Sequence, residues 1–145
     1  MHRFVYVSTA TCSLTDHQIA DIAGACHRNN RRNGLTGMLV AHQGKFLHIL
    51  EGDEAAIRRR AQMIQNDPRH GEFEVIEARE IEMRAFTDWT FVTETPKALP
   101  LLGNEKTAAL ADLMPINSPL RGRDLSVRHM VRDFLASFKQ LLAAA

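Results

Sequence analysis

The chain has 145 residues, about one domain's worth, and a domain of that size buries roughly 70% of its unfolded surface around a single core. Hydrophobic residues at 45% and charged residues at 24% supply enough apolar side chain to offset the entropy of ordering the backbone, which excludes wholesale disorder. Eighteen Lys and Arg against 17 Asp and Glu leave a formal charge of +1, too balanced for global capture of nucleic acid or anionic lipid.

No apolar run approaches the roughly 20 residues needed to cross a bilayer, and the amino terminus lacks a basic segment followed by an apolar signal stretch. The two cysteines, Cys12 and Cys26, have neither zinc-ligand spacing nor the density of a small secreted protein, so a reducing compartment and a cytoplasmic location are expected. Cys26 reads as a small core residue.

In chain order, RFVYVS (Arg3 to Ser8) is a first strand, rich in β-branched and aromatic residues. Thr15 to Gln18 has the form of a capping box, and Ile19, Ile22, Ala23 and Cys26 follow at helical spacing, which predicts an amphipathic helix to about Arg28. Asn29-Asn30 then ends it, and Asn33-Gly34 is the strongest stop signal. LTGMLVAH and KFLHILE are two apolar strands joined at Gln43-Gly44 as a tight hairpin. Asp53 caps a second helix with Ile57, Ala61 and Ile64 on one face, while Arg58 to Arg60 read as a solvated face. Glu72 to Ile81 alternates and then shifts phase near Ile76, as a bulge would make it do, and WTFVTE from Trp89 supplies a fifth strand.

That order predicts an α+β fold: a ferredoxin-like β-α-β-β-α-β core with an added fifth strand, both helices on one sheet face, and C-terminal helices. After Thr95 the prolines at 96, 100, 115 and 119 punctuate a segment with one short helix near Lys106 to Leu113. A longer helix follows with Val127, Val131, Phe134, Phe138, Leu141 and Leu142 in a stripe. The division is an α+β domain over residues 1–95 and an extension over 96–145 that covers the second sheet face or meets another chain.

Most enzyme motifs are missing: no Walker loop, G-x-G-x-x-G, H-E-x-x-H or G-x-S-x-G occurs, and the seven histidines lack paired metal-ligand spacing. What remains is a set of polar groups that a ferredoxin-like sheet could bring together in the cleft between its two helices. These are Tyr6 in the first strand, Asn29-Asn30 at the first helix end, His48 in the central strand, and Asp67 to His70 after the second helix. Such a cleft suits a flat, apolar ring with polar edges.

RFVYVS, RNNRRNGLTGML, GKFLHILEG, DPRH and FTDW stand in the order and spacing of a BLUF domain, which the chain resembles from about Met1 to Thr93. The resemblance implies a non-covalent FAD whose ring lies between the two helices, and a light-driven rearrangement of hydrogen bonds instead of catalytic turnover. On this reading the protein is not an enzyme. By the same resemblance Tyr6 is the electron and proton donor to the excited flavin, Asn30 with Asn29 beside it bonds the ring edge, and Ile22 and Ile64 sandwich the ring. Asp67, Arg69 and His70 close its edge and the ribityl-phosphate side, and Trp89 is the tryptophan that can approach the pocket.

Two positions depart from the family pattern. Where the family has a glutamine that switches between tyrosine and flavin, this chain has His48, whose imidazole cannot place donor and acceptor on one terminal carbon as an amide does. Flipping it does not reproduce the amide exchange, and a protonated His48 would favour flavin reduction and a redox photocycle. Where the family often has methionine two positions after the tryptophan, this chain has Phe91, and the sequence does not place Trp89 inside or outside the pocket. The expected function is FAD-binding blue-light reception, relayed to the C-terminal helices, a homodimer or higher homo-oligomer, and an unidentified protein partner. The alternative is a light-insensitive BLUF-like interaction module that has lost the glutamine switch.

Overall fold

The computed structural model of the protein describes residues 1–101 and 106–138. Its sheet orders six strands as β4-β1-β3-β2-β5-β6. They are β1 (His2–Ala10), β2 (Thr36–His42), β3 (Lys45–Gly52), β4 (His70–Glu80), β5 (Trp89–Thr93) and β6 (Thr107–Ala109). Helices α1 (Asp16–Arg32) and α2 (Glu54–Gln65) cross on one face; the single turn α3 (Leu110–Leu113) and the helix α4 (Leu125–Ala136) lie on the other.

Local chemistry explains the first five strands and two helices. At the start of α1 the Thr15 side chain accepts from the Gln18 amide and the Gln18 side chain accepts from the Thr15 amide, the reciprocal capping box. Asp53 likewise accepts from the Ala56 amide to open α2. The β2–β3 hairpin turns on Gln43 and Gly44, both at positive φ (48° and 76°), the geometry that matches strand twist in a two-residue turn. Along β1 the pairing with β4 skips Ile76, passing from Val5 opposite Glu77 to Tyr6 opposite Val75, which is the bulge foreseen from the phase shift. In β2, Gly37 is required by proximity: a Cβ there would sit 1.8 Å from the Ile49 carbonyl oxygen.

Three expectations need correction. Helix α1 runs four residues past Arg28, because the Asn33 amide and side chain both bond the Asn29 carbonyl and Gly34 takes positive φ only after that. Asn29 and Asn30 therefore belong to its last turns. The predicted helix from Lys106 to Leu113 is a short strand followed by one helical turn, since residues 107–109 pair in parallel with Phe91 to Thr93 and add a sixth strand. The long helix spans Leu125–Ala136, and Leu141 and Leu142 of its expected stripe lie outside the described residues.

The second face is closed by this helix. Val5, Val40, Leu47, Ile49 and Val92 of the sheet are fully buried together with Leu113, Val127 and Val131. Each such side chain is worth about 1.5–3 kcal/mol relative to exposure. Below α4 sits one polar cluster: Arg3 is buried and paired with buried Glu51 at 2.9 Å, and its guanidinium also reaches Glu77 and Asp124 at 3.3 Å each. Asp124 caps α4, so β1, β3, β4 and α4 meet at one arginine. Among the described residues no helix is long and apolar enough to cross a membrane.

Candidate functional site

Strand alternation sends Phe4, Tyr6 and Ser8 of β1, and Phe46, His48 and Leu50 of β3, toward the face beneath α1 and α2. The antiparallel register sets Tyr6 opposite His48, and Tyr6 Oη lies 2.9 Å from His48 Nδ1. On the far side of the ring the Trp89 indole N–H donates to His48 Nε2 at 3.2 Å. A tyrosine of β1, a histidine of the neighbouring β3 and a tryptophan of β5, which lies beyond β2, thus form one buried hydrogen-bonded chain, Tyr6–His48–Trp89. The Tyr6 ring is fixed from the other direction by stacking on Phe73, centroid to centroid 4.3 Å.

Above Tyr6 a slot with a cavity volume of about 50 Å³ opens between the two helices. Ile22, Ala25 and Cys26 of α1 face Arg60 and Ile64 of α2, Tyr6, Ser8, Leu39 and Phe46 form the floor, and Asp67, Arg69 and His70 close one end. The Arg60 guanidinium donates to Cys26 Sγ at 3.2 Å and bridges the helices. A flat ring entering the slot has to displace that bridge.

Six of the expected residues, Tyr6, Ile22, Ile64, Asp67, Arg69 and His70, line this slot. His48 and Trp89 sit beneath Tyr6, connected to the slot through its hydroxyl. Trp89 is buried at the end of the hydrogen-bonded chain and, like His48, is not among the slot-lining side chains. Asn29 and Asn30 are not among the slot-lining side chains. Asn30 is fully buried, and neither its amide nitrogen nor its amide oxygen has a partner; Asn29 spends its carbonyl on the helix cap.

Electrostatics sort these groups. Burial pushes the Tyr6 phenol well above its ordinary range and the Cys26 thiol up as well, so both are protonated. His48 is driven down to about 3, chiefly by burial and then by the nearby Arg60 guanidinium and His70 ring. It is neutral near pH 7, and the indole N–H pointing at Nε2 requires a lone pair there. The redox photocycle raised on the condition of a protonated His48 finds no support in this geometry, because a desolvated imidazole facing a donor has no place for a second proton. The hydrogen bond from the Arg69 side chain holds Asp67 below the usual carboxylate range.

Sequence reasoning missed six slot residues, the apolar Ala25, Leu39 and Phe46 and the heteroatom-bearing Ser8, Cys26 and Arg60. Arg60, read as part of a solvated face, turns inward to Cys26, whereas Arg58 and Arg59 are exposed as expected. Cys26 is a slot wall as well as a core residue, and Ser8 was passed over as a strand residue. The signal available was register: Ser8 lies two residues from Tyr6, and Arg60 lies four before Ile64 on the same helix face.

The residues present fit a flavin. Ser8 Oγ, Arg60 Nε and His70 Nδ1 line the slot, are buried and lack partners. His70 Nε2 lies 2.7 Å from the Ile64 carbonyl, which requires a proton there and leaves Nδ1 of the neutral ring as an acceptor. Native proteins rarely leave such groups unpaired, so an apolar slot with a donor, an acceptor and a hydroxyl suits a heteroaromatic ring with polar edges.

Comparison with known proteins agrees. Residues 1–92 match the family described as BLUF, sensors of blue-light using FAD. The photoactivated adenylate cyclase subunit beta of Euglena longa is 30% identical over 95 residues, which cover 65% of this chain and 11% of that protein. The chain thus spans about a tenth of the length of the curated relatives it matches. A bacterial light-regulated adenylyl cyclase structure superposes with a TM-score of 0.61 at 26% identity, covering 99% of this chain and 35% of that one. The ground state of BlsA shares the fold, with a TM-score of 0.60 at 24% identity over 63% of this chain and 64% of that chain. With a family match over more than half its length, the chain belongs to the BLUF family and is a blue-light sensor that uses FAD.

Proposed function

We propose that the light response of this domain is read by the Tyr6–His48–Trp89 chain, and that His48 does the work of the family's glutamine through proton position instead of side-chain rotation. The observation that carries this is the pair of hydrogen bonds on opposite edges of one buried imidazole, 2.9 Å to Tyr6 and 3.2 Å to Trp89. A half-turn of the ring would set carbon edges against both partners and leave two buried polar groups unpaired, at a cost of about 1–3 kcal/mol each. Bound FAD supplies the absorption of blue light and an excited ring able to accept an electron.

The protein's own residues do the rest. Ile22 and Ile64 would flank the ring, Asp67, Arg69 and His70 would close its polar end, and Asn30 with Asn29 would bond an edge reached at the end of α1. The apolar walls would exclude water, so that the Tyr6 hydroxyl proton has few competing acceptors. Replacement of the amide by imidazole does not favour a light-insensitive module, because both imidazole nitrogens are engaged with the tyrosine and tryptophan.

We further infer that residues 1–95 sense and residues 96–145 transmit. His48 and Glu51 lie on the same strand, and Glu51 accepts from the Ala85 and Phe86 amides and from Arg3, which holds the Asp124 cap of α4. A change of register or twist in β3 would thus reach α4 through one ion cluster. On this reading the signal leaves α4 through a homodimer or larger homo-oligomer and a protein partner in the cytoplasm. The test is the absorption of the FAD-loaded chain before and after blue light. The expected result is a reversible change in the flavin bands that Tyr6→Phe abolishes; an unaltered response in Tyr6→Phe overturns the assignment.

A further inference from the structure

We infer that Trp89 sets the tautomer of His48, and through it the direction of the Tyr6–His48 hydrogen bond, so that the Tyr6 hydroxyl proton is presented to the slot between α1 and α2. The indole nitrogen is a donor only, and its N–H points at His48 Nε2 at 3.2 Å. Nε2 must therefore carry the lone pair. In a neutral imidazole the single proton is then on Nδ1, and Nδ1, 2.9 Å from Tyr6 Oη, donates to the phenol. Tyr6 is the acceptor in this bond.

The phenol keeps its own proton, and among the described residues no other protein group is paired with Tyr6 Oη. Tyr6 forms part of the slot floor, so this donor is free to meet an acceptor held there. The alternative direction, Tyr6 donating to Nδ1, would move the imidazole proton to Nε2. That arrangement sets two buried N–H groups head to head with no acceptor between them. The bond can reverse only if Trp89 withdraws, which makes Trp89 a positioning residue that acts on Tyr6 through His48. The tautomer rests on protein atoms alone; only the use of the Tyr6 proton rests on the proposed function.

Nitrogen NMR decides it. In the full-length, uniformly ¹⁵N-labelled, FAD-loaded protein kept in the dark, the His48 ring signals are identified by their loss in His48→Gln. The expected spectrum shows a pyridine-like Nε2, a protonated pyrrole-like Nδ1, and a coupling across the hydrogen bond between Trp89 Nε1 and His48 Nε2. In Trp89→Phe the coupling disappears and the Nε2 shift moves toward the protonated range as the second tautomer becomes populated. A protonated Nε2 in the wild type, or an unchanged tautomer in Trp89→Phe, overturns the inference. Should Trp89→Phe fail to fold, the wild-type coupling decides alone: its presence supports the assignment and its absence contradicts it. FAD uptake is read separately by absorption, so an intact tautomer in a chain that binds no FAD would overturn the functional reading and leave this one standing.

Discussion

Under α4 the sheet presents Val5, Leu47, Ile49 and Val92 to Leu113, Val127 and Val131, each fully buried, and its one polar cluster, Arg3 with Glu51, is richly paired. Under α1 and α2 the same strands present Tyr6, Ser8 and His48, leave Ser8 Oγ, Arg60 Nε and His70 Nδ1 unpartnered, and keep a slot between the helices. One sheet thus carries a face whose apolar core and ion cluster are finished by its own chain, beside a cavity between β1, β4 and α4 and the unpartnered Nε2 of His42, and a face whose slot is lined by three unpartnered polar atoms. Stability is expected to reside on the first and cofactor binding on the second.

The largest expected effect is on the finished face. Arg3→Met leaves the Glu51 carboxylate buried beside two backbone amides without its cation, and urea unfolding should show a loss of about 3–5 kcal/mol. Flavin absorption of the fraction that folds should be little altered. A smaller effect separates the faces directly. Leu113→Ala should cost about 2–5 kcal/mol and spare FAD affinity, while Ile64→Ala, beside the slot where neighbours can relax, should fall at or below the low end of that range and weaken FAD binding. Equal losses of stability with equal losses of flavin would erase the distinction.

Acid gives a third comparison. His48 has a folded value near 3 against an ordinary 6.5, so below about pH 6.5 the unfolded chain binds the proton more readily than the folded one. Its contribution is complete above the ordinary value and is lost as pH falls toward 3, with a slope approaching about 1.4 kcal/mol per pH unit. His48→Gln should flatten that limb in urea titrations. Asp124, held down to about 2 by its hydrogen bond from Ser126 and then by Arg3, loses its share only at lower pH, between its ordinary value and about 2. The smallest change in stability is expected at Asn30. Removing an unpartnered buried amide in Asn30→Ala should leave flavin-free stability within about 1 kcal/mol of wild type or raise it, yet reduce FAD affinity by roughly tenfold, one hydrogen bond's worth.

Much of this was legible beforehand because the relevant physics is local. The Thr15 box, the Asp53 cap, the Gln43-Gly44 turn and the Ile76 bulge all depend on residues within a few positions of one another. Thr107–Ala109 was not legible, since alanine favours helix and only parallel pairing with Phe91 to Thr93, set by a crossover, makes it a strand. In the site, the family pattern located Tyr6, Ile22, Ile64 and the Asp67–His70 end. It could not show that Trp89 bonds His48, that Arg60 turns inward, or that His48 is held neutral. Those three facts depend on which strands are neighbours and on how much water is excluded.

The most direct test of the account is the light-minus-dark infrared difference spectrum of the FAD-loaded chain, prepared with unlabelled histidine and with ring-¹⁵N histidine. If proton position on His48 carries the response, imidazole bands appear in the difference spectrum, shift with the label and vanish in His48→Gln. A light response whose spectrum is indifferent to the histidine label would contradict it.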